Sequence, residues 1–290
     1  MRDRPCDNSD RSERTGRPAR PVVVVASLIL TWVTVGCGDG NGQTRFTPER
    51  PGTLTVATNL PAPGWWNGES AAALTGGFEY GMASEIARRL GLTGGVLVIN
   101  VPFDDLVAGH VGKYDIGLSQ VTITPERAKV VDFSAPYFNS HAGVLVSKGT
   151  AVPDLSAAKR LRWGVMAATT METFLDEQVK PDVPVRLYPD QSQTVAALRN
   201  GEVDALLLDT FSALVEATQS AGTFEVPAQF RTGESFGAVL PKGSKNRPEV
   251  DRVIKALADD GTLGRLSDQF LEPQFGTDPA GIRFIEVPLR

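Results

Sequence analysis

The sequence is poor in the residues on which much catalytic chemistry depends. Only two histidines and two cysteines occur in 290 residues. His110 has no serine or cysteine beside it, and Ser140 beside His141 belongs to no nucleophile motif, so hydrolysis of the Ser-His or Cys-His kind has no footing. There is no HExxH segment, no CxxC pair, no GxGxxG after a strand, and no glycine loop ending in Gly-Lys-Ser/Thr. The common zinc, dinucleotide and nucleotide sites are therefore missing, and no cofactor or metal is expected. A cationic excess is lacking too. Lys+Arg number 29 against Asp+Glu 34, a net charge of −5, which denies nucleic acid the basic face that displaces phosphate counterions. The apolar run Pro21–Val35 falls short of the ~20 residues that a spanning helix needs.

That run does have a setting. Residues 1–20 carry six arginines against Asp3, Asp7, Asp10 and Glu13, and small residues follow the apolar core. The arrangement fits a secretory signal, with a short anchor or a buried strand as the alternatives. Gly36-Cys37 resembles a bacterial lipoprotein box, with Thr34 standing where leucine is usual. The likeness implies a lipoprotein-type signal peptide over 1–36, with Cys37 as the lipidation site. The mature chain would then be anchored by lipid to the outer face of the cytoplasmic membrane; ordinary cleavage nearby is the alternative. With Cys6 removed and Cys37 alkylated, no disulfide framework would remain. Residues 37–52 are Gly/Pro/polar without period, the composition of a flexible tether.

From Thr53 short apolar runs alternate with helical periods. LTVAT (54–58), VLVIN (96–100), YDIGLS (114–119) and AGVLVS (142–147) read as strands, and 79–90 as a helix closed by Gly91. A second series follows: strands at 161–165, 185–188, 203–208 and 236–241, with helices between them and two more to residue 271. Such alternation implies parallel sheets flanked by helices. Two series suggest two lobes.

Five segments resemble the extracellular solute-binding proteins of polar amino-acid ABC importers, family 3. They are Gly77-Phe78-Glu79-Tyr80; Gly112-Lys113-Tyr114-Asp115 with Thr122-Ile123-Thr124-Pro125-Glu126-Arg127; and Val131-Asp132-Phe133-Ser134-Ala135-Pro136-Tyr137-Phe138. Gly201-Glu202-Val203-Asp204-Ala205 with Leu208-Asp209 is the fourth, and Pro241-Lys242-Gly243-Ser244 with Asp260-Gly261-Thr262 the fifth. The likeness spans about residues 53–272. It implies the α/β two-lobed type II periplasmic-binding-protein fold, each lobe a mostly parallel sheet flanked by helices, joined by two hinge crossings. Lobe 1 takes 53–145 and 237–290, lobe 2 takes 146–236, and the crossings fall near Val146–Lys148 and Thr232–Phe236. The tail beyond 276 is expected on lobe 1.

A free amino acid asks for one fixed cation and one fixed anion. Arg127 offers a planar fork that grips a carboxylate through two hydrogen bonds. It is expected one turn into a helix, and a surface pair with Glu126 or Asp132 is the plainer reading. Asp209 ends an apolar strand, where open α/β sheets bind ligands. It reads either as the acceptor for the α-ammonium or as the N-cap of the next helix. The resemblance places both in the ligand cleft, with Thr122, Gln120, Thr169 and Thr170 as polar contacts. Phe103 lies over the ligand or in the core, and Trp65 walls the cleft or anchors a loop. Asn59 takes a position where the family often has aspartate. The implied function is capture of a free amino acid, polar or charged, by hinge closure of a monomer that serves an ABC permease. Alternatives on this fold are a cyclohexadienyl-dehydratase-like enzyme, which needs a general acid in the cleft, and a non-catalytic sensory binding module.

Overall fold

A computed structural model describes residues 46–68 and 70–287. The expected signal segment, Cys37 and residues 37–45 of the expected tether lie outside the described residues. Residues 46–52 are not a tether. Phe46 is buried in the core, and the main chain of Thr47 exchanges two hydrogen bonds with the Asn246 side chain (2.9 and 2.8 Å). Glu49 N donates to Asp115 Oδ1 at 2.7 Å. An apolar anchor and these long-range bonds outweigh the loop composition.

The first half of the chain builds β1 (Leu54–Thr58), a small hairpin of β2 (Asn67–Gly68) and β3 (Leu74–Gly76), α1 (Phe78–Arg89), β4 (Val96–Asn100), α2 (Phe103–Val107) and β5 (Ile116–Gly117). β1 pairs in parallel with β4 on one side and β5 on the other. α1 forms because Phe78, Met82, Ala83, Ile86 and Ala87 fall on one buried stripe. Its start needs glycine. Gly77 has φ 116, and a Cβ there would lie 2.2 Å from Trp65 O.

β6 (Val131–Ser147) follows, then α3 (Leu155–Lys159), β7 (Trp163–Met166), α4 (Thr170–Phe174), β8 (Arg186–Tyr188), α5 (Gln191–Arg199), β9 (Ala205–Asp209) and α6 (Thr210–Gln219). β10 (Phe224–Pro241), α7 (Arg247–Asp259), α8 (Thr262–Phe270) and β11 (Phe284–Ile285) complete the chain. β7 pairs in parallel with β8 and β9. All strands but the hairpin join one sheet in the order β4-β1-β5-β10-β6-β9-β7-β8, with β11 beside β10.

β6 and β10 are the connection between the two parallel groups. They pair antiparallel from Val131↔Pro241 to Ser147↔Phe224, with register shifts between Glu225 and Ala228, between Phe230 and Glu234, and on either side of Gly237. β6 gains β9 as a second neighbour only from Ala142 onward. At one end, Phe236 and Leu240 pack with Val56, Phe78 and Ile86, while Phe133 and Val239 pack with Phe103 and Leu106 on the opposite face. At the other end, Val144, Val146 and Phe230 pack with Trp163 and Leu207, and Leu145 turns to Leu198, Leu206 and Leu208. The alternation is that of a strand buried on both faces. Two lobes result, each a sheet sandwiched between apolar layers.

Three expectations change. The first crossing lies ahead of Val146–Lys148, because 131–147 is one strand and its change of neighbour marks the change of core. Arg127 sits in a single 3-10 turn, Arg127–Lys129, not one turn into an α-helix. β11 does not join lobe 1: Gln229↔Phe284 and Phe230↔Ile285 tie it to the second core, where Ile285 is buried.

Candidate functional site

The site begins where strands end. β9 delivers Asp209, the chain after β7 delivers Ala168 and Thr169, and the chain after β5 delivers Ser119, Gln120 and Thr122. Loops at these carboxyl ends converge from the two lobes on one cavity of about 70 Å³. Phe103, Gln120, Thr122 and Arg127 line it from the first lobe, and Thr169, Thr170 and Asp209 from the second. An outer cleft of about 910 Å³ shares Arg127, Thr169 and Thr170 with it.

Arg127 bridges the lobes. Its Nη1 donates to Thr122 O at 2.8 Å and its Nη2 to Ala168 O at 2.9 Å, while its Cζ lies 5.5 Å from the Phe103 ring centroid. Burial pushes the guanidinium down to about 10, partly offset by the charge of Glu234. Only two of its five N–H groups are spent on these carbonyls. The surface pairing with Glu126 or Asp132 does not occur: Asp132 takes Lys242 instead, at 3.1 Å.

Asp209 does cap α6, accepting from Ser212 N at 3.0 Å through Oδ1. It lines the cavity as well. Burial raises its pKa above 3.8, opposed by hydrogen bonds from the helix start. Thr169 caps α4 by position and donates its hydroxyl to Met166 O at 2.7 Å. The Thr170 hydroxyl stands 3.5 Å from that of Thr122 across the lobes.

Behind the cavity lies Glu79, fully buried on α1. It accepts from Trp66 Nε1 at 2.7 Å, Gln120 N at 2.8 Å, Gln120 Nε2 at 2.5 Å and the Tyr137 hydroxyl. Burial nonetheless pushes it up to about 7. Its carboxylate clamps Gln120, whose backbone adopts φ 48, and so fixes the loop that leads to Thr122. The side chain of Gln120 is thereby turned onto Glu79 while still bordering the cavity.

Two expected residues are elsewhere. Trp65 is wholly buried behind Phe236. Its ring meets Phe138 at 4.9 Å, Phe78 at 5.5 Å and Phe236 at 5.8 Å between centroids, and its Nε1 donates to Ser212 Oγ at 3.1 Å. It anchors the loop and walls nothing. Asn59 donates Nδ2 to Val101 O at 3.0 Å, and its N donates to Ser119 Oγ at 3.1 Å, so it stands behind Ser119 and outside the lining. Several wall residues carry no sequence motif, Ser119, Gln191 and Glu234 among the polar ones. Glu234 lies where β10 crosses between the lobes and borders both the cavity and the outer cleft. Its only sequence signal is a charge within the Thr232–Phe236 crossing.

Among the described residues, no cluster of His, Cys, Asp or Glu is placed to hold a metal ion, and no helix is long and apolar enough to cross a membrane.

The family model for bacterial extracellular solute-binding proteins, family 3, matches residues 54–273. The chain is 31% identical over 267 residues to the L-cystine-binding protein TcyJ of Escherichia coli strain K12, covering 91% of this chain and 97% of that protein. The crystal structure of a solute receptor for L-cysteine from Neisseria gonorrhoeae superposes with a TM-score of 0.71 at 25% identity, over 80% of this chain and 96% of that one. An ancestral amino-acid-binding protein, AncCDT-1, described as a precursor of cyclohexadienyl dehydratase, superposes with a TM-score of 0.65 at 28% identity, over 76% and 96%.

Proposed function

The chain belongs to the bacterial extracellular solute-binding proteins of family 3, and from that premise we propose that it binds a free amino acid between its lobes and presents it to the permease of an ABC importer. One observation carries the reading: Arg127 and Asp209 border a single cavity from opposite lobes. The unspent N–H groups of Arg127 take the α-carboxylate as a fork. Asp209 takes the α-ammonium, with Thr122 and Thr170 adding hydroxyls. Phe103 supports the guanidinium from beneath and bounds the ligand.

The enclosed volume near Arg127 is small, while the outer cleft is large. A ligand therefore enters with the lobes apart, and contacts on both sides favour their closing. That differential affinity is what a binding-dependent closure requires. In this reading the protein works as a monomer without cofactor and performs no chemical step. A lipid on Cys37 would hold it at the outer membrane face. The relatives' names support the ligand class, as L-cystine and L-cysteine both carry the amino-acid head group.

The test is thermal unfolding of the full chain against the L-amino acids. A ligand at ~100 times Kd adds about 2.7 kcal/mol, which at roughly 2–4 °C per kcal/mol raises the midpoint by several degrees. The rise should vanish in Arg127→Ala. No rise with any amino acid, together with turnover of a cyclohexadienyl acid, would replace this reading with the dehydratase one.

A further inference from the structure

Glu234 is the one carboxylate of the cavity wall that the amino-acid head group leaves unassigned. It belongs to no helix cap and forms no direct ion pair with Arg127, whose charge reaches it across a gap. The hydroxyls of Thr170 and Thr122 favour the charged form of its carboxyl group, yet Oε2 is buried and has no hydrogen-bond partner. A buried acceptor without a donor is costly and calls for an explanation. Burial also raises the pKa of this group, more than the distant charge of Arg127 lowers it.

Charge bookkeeping points the same way. The cavity wall holds one cation, Arg127, against two carboxylates, Asp209 and Glu234. A zwitterionic head satisfies Arg127 and Asp209 and leaves Glu234 over. Glu234 also borders the outer cleft, where Glu126 and Glu177 add negative charge against Arg231, whose guanidinium lies over the Phe284 ring, and there is room for a long side chain. We propose that Glu234 receives a second, positively charged nitrogen of the ligand, so that this site selects basic amino acids with a guanidinium or ammonium side chain. The proposal rests on the amino-acid-binding reading above and narrows its substrate class.

Selectivity then arises from repulsion and desolvation as much as from attraction. A neutral side chain closes over Glu234 and leaves its carboxylate buried without a partner, and an acidic one adds like charge. A basic side chain supplies the missing donor as a charge-assisted hydrogen bond.

The experiment is isothermal titration of the full chain with L-arginine, L-lysine, L-citrulline, L-glutamine and L-cystine, repeated on Glu234→Gln. Citrulline keeps the length and shape of arginine without its charge. Arginine or lysine should bind the wild-type protein roughly 10–100-fold more tightly than citrulline, and Glu234→Gln should bring arginine and citrulline together. Retained binding of citrulline or glutamine by the variant shows that it is folded and the head-group site intact. Citrulline, glutamine or cystine binding the wild type as tightly as arginine would overturn the proposal and leave the amino-acid reading standing. So would an arginine preference unchanged in Glu234→Gln. Failure of all five ligands to bind would overturn the proposal, and failure of every L-amino acid in the thermal assay would overturn both.

Discussion

The double placement of Asp209, at a helix start and on the cavity wall, can be taken apart with one atom. Asp209→Asn keeps an oxygen for Ser212 N, and asparagine caps helices about as well as aspartate. The unliganded variant should therefore stay within ~0.5 kcal/mol of the wild type in urea unfolding, whereas Asp209→Ala, which loses the cap, should cost about 1 kcal/mol. Binding should respond differently. A hydrogen bond to a charged partner contributes about 1.5–3 kcal/mol and a neutral one about 0.5–1.5. Replacing a carboxylate by an amide opposite an ammonium thus removes about 1–2 kcal/mol, or 5–30-fold in Kd. Proton linkage gives a second handle. Burial raises Asp209 in the free protein, and a bound ammonium favours its ionised form. Affinity should therefore weaken as the pH falls through that raised value, and in Asp209→Asn the share of this pH dependence carried by Asp209 should disappear, leaving that of Glu234. Calorimetric titration over a series of pH values measures both effects. A Kd unchanged by Asp209→Asn would refute the binding role and leave Asp209 as a cap alone.

Two further outcomes follow from the support of the site. Glu79 has an ordinary value of 4.5 and is pushed up to about 7 in the folded chain. Between those values the native state holds a proton that the unfolded chain has released, so the stabilisation is full below the window and lost as the pH rises through it. Wild type relative to Glu79→Gln should lose up to about 3 kcal/mol across it, measured by urea unfolding, and a pH-independent difference would contradict the burial penalty. Gly77→Ala must place a methyl 2.2 Å from Trp65 O at φ 116. It should cost at least about 1–3 kcal/mol from the backbone alone, and an unshifted melting midpoint would show that the α1 start is softer than its geometry.

What was legible in the sequence was local. β1, α1 and β4 announced themselves because their apolar residues recur at strand or helix spacing over enough positions. Arg127, Thr122, Gln120, Phe103, Thr169, Thr170 and Asp209 came from short motifs, and all seven border one cavity. The sequence pattern marks only 142–147 of β6 as a strand, because Pro136, Asn139, Ser140 and His141 interrupt the apolar pattern before it. Only pairing with β10, far along the chain, makes it one strand. For Trp65 the sequence leaves a cleft wall and a loop anchor open, and Phe138, Ser212 and Phe236, all distant in sequence, are what bury it as an anchor. Glu234 belongs to no motif, and its importance appears only when the crossing brings it against residues of both lobes.

The β6–β10 ladder has a mechanical consequence. A strand pair cannot slide by one residue without turning every side chain to the opposite face, and here both faces of the pair are buried at both ends. Translation of one lobe along the other is thus forbidden, while bending and twisting at the ladder's irregular stretches, of which Phe230–Glu234 has the longest gap in pairing, cost little. The two halves of the site are consequently mounted on a flexure rather than a slide. If the lobes part as proposed, Arg127 and Thr122 would come back opposite Thr170 and Asp209 in one alignment, and the accuracy of that return would be set by a ladder that no ligand has to touch.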